Sequence, residues 1–377
     1  MASSSAAAAA TTTTAEVALT LPRPDDWHLH VRDGAAMASV VAQLPRTMAR
    51  AIIMPNLRPP VRTVAEAQAY RARILAALPA GSDFEPLMTL YLTDATSPDE
   101  VDRAVASGAV FGVKLYPAGA TTNSDAGVTS IEKVYPVLER MQALGLPLLV
   151  HGEVTRAAVD VFEREPVFVE EVARPLVARF PTLKVVMEHI TTREAVRFVE
   201  ESSAFVAATV TAQHLMYSRN ALFEGGLRPH RYCLPVLKHE QDRQALIEAV
   251  VRRGGAKFFL GTDSAPHARG SKECACGAAG CFTQHAALEL YAQVFEAEGA
   301  LHHLRAFACE NGPRFYGLPS NAARLPASRV ELRREAWAVP ESYAFGDGSA
   351  VVPVLAGETL NLRAHVVAVE ADAKKEE

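Results

Sequence analysis

Two histidines, His28 and His30, flank a single leucine in the stretch DDWHLHVRDG, residues 25–34. In a β-strand, residues i and i+2 point to the same face, so the two imidazoles would converge on one point, as two metal ligands must. The pattern equally fits two polar residues on a wet strand face, and the rest of the chain has to decide. Asn56, Lys114, His151, His189 and Asp263 also fall at the ends of short apolar runs. Each has a plain reading on its own. His189 would serve as a hydrogen-bonded core histidine, Lys114 in FGVKLYP as a snorkelling lysine, and Asp263 in GTDSAPH as a helix N-cap. Their shared position at strand ends argues for one site. Four histidines and an aspartate suit zinc, which takes imidazole nitrogen and carboxylate oxygen. A catalytic zinc needs three protein ligands and a water, so five ligands suggest two metals. Two metals about 3.5–4 Å apart need a bridging anion, and a lysine ammonium is not one.

The elements that position these residues are legible. Eight runs read as strands: WHLHV (27–31), RAIIMPN (50–56), PLMTLYL (86–92), FGVKLYP (111–117), PLLVHGE (147–153), KVVMEHI (184–190), FVAATVT (205–211) and KFFLGTD (257–263). Helical periodicity fills stretches between them, as at 63–78, 131–144 and 192–202. Alternating β and α segments imply parallel strands joined by crossovers, and eight such units predict a (β/α)8 TIM-type barrel. An open doubly wound sheet is the alternative, but no Gly-x-Gly-x-x-Gly turn supports it. Long loops at 224–235 and in APHARGSKECACGAAGCF would lie on the barrel's C-terminal face, where function is carried.

The chain has 377 residues, of which 49% are hydrophobic and 21% charged, an ordinary globular balance. The net charge of −5 and the lack of a basic block speak against a nucleic-acid partner. No apolar run approaches the roughly 18 residues of a membrane-spanning helix. Five cysteines, an odd number, form no secreted disulfide framework, and a reducing, cytoplasmic setting is expected. Residues 1–20 read as a disordered extension, 21–365 as one barrel domain with irregular strands after 321, and 366–377 as a solvated tail. The Ser/Ala/Thr-rich start leaves import into a mitochondrion or plastid as the alternative. Cys274, Cys276 and Cys281 with His285 superficially suggest a structural zinc site, but the paired Cys-x-x-Cys spacing is missing. His214 in TVTAQHL reads as a structural histidine.

The segments RPDDWHLHVRDG, RAIIMPNLRPPV, VKLYPAGATTNS, PLLVHGEV, VVMEHITT, LRPHRYCLPVLK and FLGTDSAPHA together resemble the dihydroorotases of the shorter bacterial and plant type, within the metal-dependent amidohydrolase superfamily. The similarity runs from about residue 21 to 317. It implies a zinc-dependent, reversible conversion between (S)-dihydroorotate and N-carbamoyl-L-aspartate, the third step of de novo pyrimidine biosynthesis, in a homodimer. It implies two zinc ions. His28, His30 and Asp263 would hold one, and His151 and His189 the other. Lys114, carbamylated by carbon dioxide (N6-carboxylysine), would bridge them together with a hydroxide. Asp263 would also shuttle the proton. Arg32, Asn56, Leu234, His267 and Ala279 would contact substrate, with Thr121 and Thr122 at the tip of a closing loop. The alternatives are a hydantoinase-like or allantoinase-like enzyme sharing the metals, and a scaffold that has lost them.

Overall fold

The computed structural model describes residues 15–346 and 348–369. Eight parallel strands lie in chain order: β2 (Asp25–Leu29), β3 (Arg50–Ile53), β4 (Glu85–Tyr91), β5 (Val110–Leu115), β6 (Leu148–His151), β7 (Val185–Glu188), β8 (Val206–Val210) and β9 (Phe258–Leu260). Each overlaps one of the eight apolar runs; β2, β4 and β5 begin one or two residues earlier than expected, and all end sooner. The predicted helices appear at Val64–Ala77, Tyr135–Leu144 and Arg193–Glu201. The first begins with a capping box, in which the Thr63 side chain and Glu66 satisfy each other's backbone N–H groups. The barrel closes beyond β9: the Asp263 N–H donates to the His28 carbonyl at 2.9 Å, and the His30 N–H to the Ser264 carbonyl at 3.2 Å.

Two apolar zones hold the barrel. The larger lies between strands and outer helices. The smaller gathers Trp27, Ile52, Leu87, Leu149, Val186, Ala207 and Phe259, drawn from seven of the eight barrel strands. Because side chains repeat every two residues along a strand, His151, Glu188 and Thr209 stand one step above Leu149, Val186 and Ala207 on the same face. A polar layer therefore sits on an apolar floor, as layered barrel interiors require.

The ends of the chain differ from expectation. β1 (Val17–Pro22) pairs antiparallel with β10 (Ser328–Arg333), which pairs in turn with the strand Arg363–Ala368. The folded domain thus starts before residue 21 and continues past 365, because VALTLP and RAHVVA pair with the two sides of β10 and satisfy its backbone hydrogen bonds. Residues 1–14 of the expected extension and 370–377 of the expected tail lie outside the described residues. Two short antiparallel pairs, Trp337–Ala338 with Thr359–Leu360 and Tyr343–Phe345 with Ser349–Val351, make up the irregular strands after 321. Among the described residues no helix is long and apolar enough to cross a membrane.

Asp26 clasps the seam between β2 and β9. Its buried carboxylate accepts from the Thr262 N–H at 2.9 Å, the Thr262 hydroxyl at 2.6 Å and the His28 N–H at 3.1 Å. Removing it strands buried donors at about 1–3 kcal/mol each. Asp26→Ala is therefore expected to lower the unfolding free energy of the metal-free chain by about 3 kcal/mol in denaturant titration. A loss within about 0.5 kcal/mol, the range of ordinary surface substitutions, would show the clasp to be dispensable.

Candidate active site

The expected ligand residues converge above the apolar floor. His28 Nε2 lies 3.4 Å and His30 Nε2 3.1 Å from Asp263 Oδ1. His28, His189 and Asp263 each offer a ligand atom, all within 4.8 Å of one another. The His189 ring is 4.9 Å from that of His28 and 4.8 Å from that of His151, centroid to centroid, so it bridges the two halves of the cluster. Lys114 is fully buried, and its Nζ has no hydrogen-bond partner. Burial lowers its pKa to about 8, well below an ordinary lysine.

The electrostatics favour metal-binding forms. Burial, reinforced by Lys114, pushes His28 and His189 well below the usual imidazole range, which keeps the rings neutral. Burial opposes ionisation of Asp263, yet His28 and His30 outweigh it and hold the carboxylate ionised. Two acidic partners fix ring nitrogens. Glu188 Oε2 lies 2.7 Å from His28 Nδ1, and Glu153 Oε2 lies 2.7 Å from His151 Nε2. Each such contact leaves the opposite nitrogen for a metal, the arrangement that orients histidine ligands. Nδ1 of His189, Nζ of Lys114 and Oε1 of Glu188 are buried without partners. Polar groups are rarely abandoned together in this way, and with four histidines and an aspartate around them the donor set fits a metal centre.

Strain is concentrated at the same place. Arg32, His189 and Asp263 have φ of 63°, 42° and 45°, a region costing about 1–3 kcal/mol for such residues. For His189 the reason is geometric. Glu188 already faces inward, so a continuing strand would send His189 outward, and the left-handed turn brings it back.

One pocket joins the cluster to the expected substrate residues: Arg32, Asn56, Thr121, Thr122, Leu234 and Ala279 line it together with His28, His30, His151, His189 and Asp263. Arg32 Nε donates to the Pro266 carbonyl at 2.8 Å, and Nη2 lies 3.0 Å from His267 Nε2. That nitrogen is also 3.0 Å from the Ala279 carbonyl, so His267 sits behind Arg32 rather than in the pocket wall. Asn56 Nδ2 donates to the Thr122 carbonyl at 3.0 Å, and Asn123 Nδ2 returns a bond to the Asn56 carbonyl at 3.0 Å. The loop carrying Thr121 and Thr122 is thereby held over the cluster. Gly280 completes the opposite wall. Its φ is 148°, and a Cβ there would stand 2.3 Å from the Ala265 carbonyl.

Several participants escaped the sequence reading. Tyr116 lines the pocket with an unpartnered hydroxyl and places its ring 5.1 Å from Lys114 Nζ. The signal was its position two residues after Lys114. Glu153 and Glu188 were legible as carboxylates beside His151 and His189 in HGE and MEH, although Glu188 serves His28 rather than its own neighbour. The cysteine cluster does not assemble. Cys274 and Cys276 are exposed with Sγ atoms 3.8 Å apart, Cys281 is buried elsewhere, and no metal group among the described residues includes them. His214 uses both ring nitrogens structurally, toward the Thr211 hydroxyl at 2.7 Å and the Pro235 carbonyl at 3.0 Å.

Comparisons with known proteins agree with this architecture. A family model described as the amidohydrolase family matches residues 25–327. The dihydroorotase of Aromatoleum aromaticum is 65% identical over 345 residues, covering 92% of this chain and 98% of that protein. The dihydroorotase of Pseudomonas fluorescens is 60% identical over 345 residues, covering 92% and 97%. Among solved structures, dihydroorotase from Campylobacter jejuni superposes with a TM-score of 0.83 at 34% identity, over 93% of this chain and 98% of that one. The Saccharomyces cerevisiae dihydroorotase in complex with 5-fluoroorotic acid gives 0.86 at 31% identity, over 93% and 99%. An L-hydantoinase from Arthrobacter aurescens, at 16% identity and a TM-score of 0.76, shares the fold. The chain belongs to the dihydroorotase family of amidohydrolases, hydrolases that act on a cyclic amide and depend on a metal.

Proposed function

We propose that this chain interconverts (S)-dihydroorotate and N-carbamoyl-L-aspartate, the third step of pyrimidine synthesis, as a cytoplasmic homodimer. The observation that carries the reading is a single pocket with a buried His/Asp cluster on one wall and the fixed guanidinium of Arg32 on another. Relatives at 60–65% identity are bacterial, which favours the cytoplasm over an organelle.

His28, His30 and Asp263 would hold one zinc, and His151 and His189 the second. Lys114 would join the two sites as a carbamate formed with carbon dioxide. The neutral amine that burial favours is the form that reacts with carbon dioxide. Bound there, zinc supplies a water of lowered pKa and polarises the substrate carbonyl. Asp263, held ionised at the centre of the cluster, takes the proton of the attacking water and delivers it to the leaving ring nitrogen. Arg32 binds the substrate carboxylate. Its Nε is anchored by the Pro266 carbonyl and its Nη2 packs beside His267 Nε2, which leaves the Nη1/Nη2 edge for two parallel bonds. Asn56 adds a hydrogen bond, and Leu234 and Ala279 shape the wall. Thr121 and Thr122 close the pocket, add hydrogen bonds and exclude bulk water.

Protein purified without chelator is expected to carry two zinc ions per chain by elemental analysis. Full activity with one divalent ion or fewer per chain would sink the two-metal reading. Lys114→Ala is expected to lose turnover and to regain part of it with added short carboxylic acids, which replace the missing anion. Undiminished activity in this variant would exclude Lys114 as the bridge. Dihydrouracil lacks the carboxylate and leaves Arg32 unpaired, so kcat/KM is expected to favour dihydroorotate by at least about 10³. Arg32→Met should erase most of that preference through loss of dihydroorotate turnover, with both zinc ions retained. Equal hydrolysis of dihydrouracil, hydantoin and dihydroorotate by the wild type would replace this assignment with a hydantoinase-like one.

A further inference from the structure

Each histidine of the cluster needs something to fix its ring. His28 has Glu188 and His151 has Glu153, each at 2.7 Å. His189 has no such partner. Its Nδ1 is buried and unpaired, and its backbone is bent to a φ of 42°. Its orientation therefore comes from its backbone, whose N–H donates to the Thr209 hydroxyl at 2.7 Å, and from the turn that follows. That turn runs from the end of β7 through Thr191 and Thr192 into the helix Arg193–Glu201.

A single buried carboxylate grips the turn. Glu165, from the short helix Arg164–Phe168, is 1% exposed. It accepts from the Thr191 N–H at 2.9 and 3.0 Å, the Thr192 N–H at 2.8 Å, the Thr191 hydroxyl at 2.9 Å and the Thr192 hydroxyl at 2.6 Å. The Thr192 hydroxyl also accepts from the Ala195 N–H, which ties the grip to the start of the helix. On the other side, the Arg164 carbonyl accepts from the Val154 N–H at 3.2 Å, in the loop that follows His151. The segment Arg164–Glu165 thus touches the chain just beyond both expected ligands of the second metal, and none of the three of the first.

We propose that Glu165 is the positioning residue for His189. Its carboxylate fixes the strained turn and so aims the imidazole of the second site that lacks a carboxylate of its own. The inference rests on the two-metal reading above. Glu165 touches neither substrate nor metal; it acts through Thr191, Thr192 and the backbone of His189. A glutamine there keeps the shape but turns an NH2 group toward donors that need an acceptor.

The test compares wild type, Glu165→Gln and Thr191→Val, which removes a single hydroxyl, by zinc titration against a competing chelator. Wild type should bind two zinc ions. Glu165→Gln should keep one at wild-type affinity and bind the other about 10–100-fold more weakly, the usual effect of losing a group that orients a ligand. Thr191→Val should show a smaller loss on the same site, which keeps the idea testable should Glu165→Gln not fold. With cobalt(II) in place of zinc, the visible absorption of one site should change and that of the other persist. For dihydroorotate, kcat should fall while KM stays within about twofold, because Arg32 and His267 are untouched. A folded Glu165→Gln protein with both affinities unchanged overturns the proposal. So does equal weakening of both sites with a matching drop in the melting temperature of the metal-free chain, which would mark Glu165 as fold support alone. A wild type that binds one zinc or none overturns the two-metal reading itself, whatever the variants do.

Discussion

The seam between β2 and β9 is the constraint on which the rest of the structure depends. Three of the expected ligands, His28, His30 and Asp263, come from its two sides, and a shift of one residue in either strand would exchange inward and outward faces. Parallel pairing alone does not prevent that shift. Asp26 does, because its two oxygens match a backbone N–H and a hydroxyl on Thr262 and the N–H of His28. The closing bonds from Asp263 to His28 and from His30 to Ser264 then set the ligand atoms within reach of each other. A charge buried to close the barrel is thus also what gives the cluster its geometry.

Above that seam the molecule carries a local deficit. Lys114, His189 and Glu188 keep buried polar atoms without partners, and three residues there occupy left-handed backbone conformations. Such groups cost free energy unless something satisfies them. Divalent cations and a negatively charged bridge would satisfy them together: the neutral imidazoles gain a Lewis acid, and the amine becomes an anion. The metal-free fold and the metal-loaded site are therefore linked by mass action, since a cation that binds only the assembled cluster stabilises the chain that assembles it.

Much of this was legible in the sequence, for a physical reason. Side chains at a barrel's open end project from strand ends, so polar residues that terminate apolar runs stand out, and His28, His151 and Asp263 do converge in one pocket. The eight runs located all eight strands because buried parallel strands have no polar face to dilute the pattern. Other features were hidden. Glu165 has ordinary neighbours in sequence, and its role arises from partners at a distance, a turn 26 and 27 positions away. The ordering of Val17–Thr20 was hidden because its partner strand lies more than 300 residues on. The sequence grouped His267 with Arg32 as a substrate contact, whereas the structure places it behind the guanidinium and outside the pocket lining.

The same economy governs the pocket's far side. Asn56 bonds to the Thr122 carbonyl while Asn123 bonds back to the Asn56 carbonyl, and the Tyr91 hydroxyl reaches the Asn123 carbonyl at 3.3 Å. The side chain that is expected to meet substrate is therefore already committed to the loop that would cover it. The Asn56 amide keeps its second N–H and its Oδ1 for a ligand while one N–H holds the Thr122 carbonyl, so contact with substrate and contact with the loop would be made by one side chain. A ring without a carboxylate leaves Arg32 unpaired and has fewer polar groups to offer the pocket. Selection for the anionic ring would thus arise from the anchored guanidinium of Arg32, while Asn56 joins the bound ring to the loop.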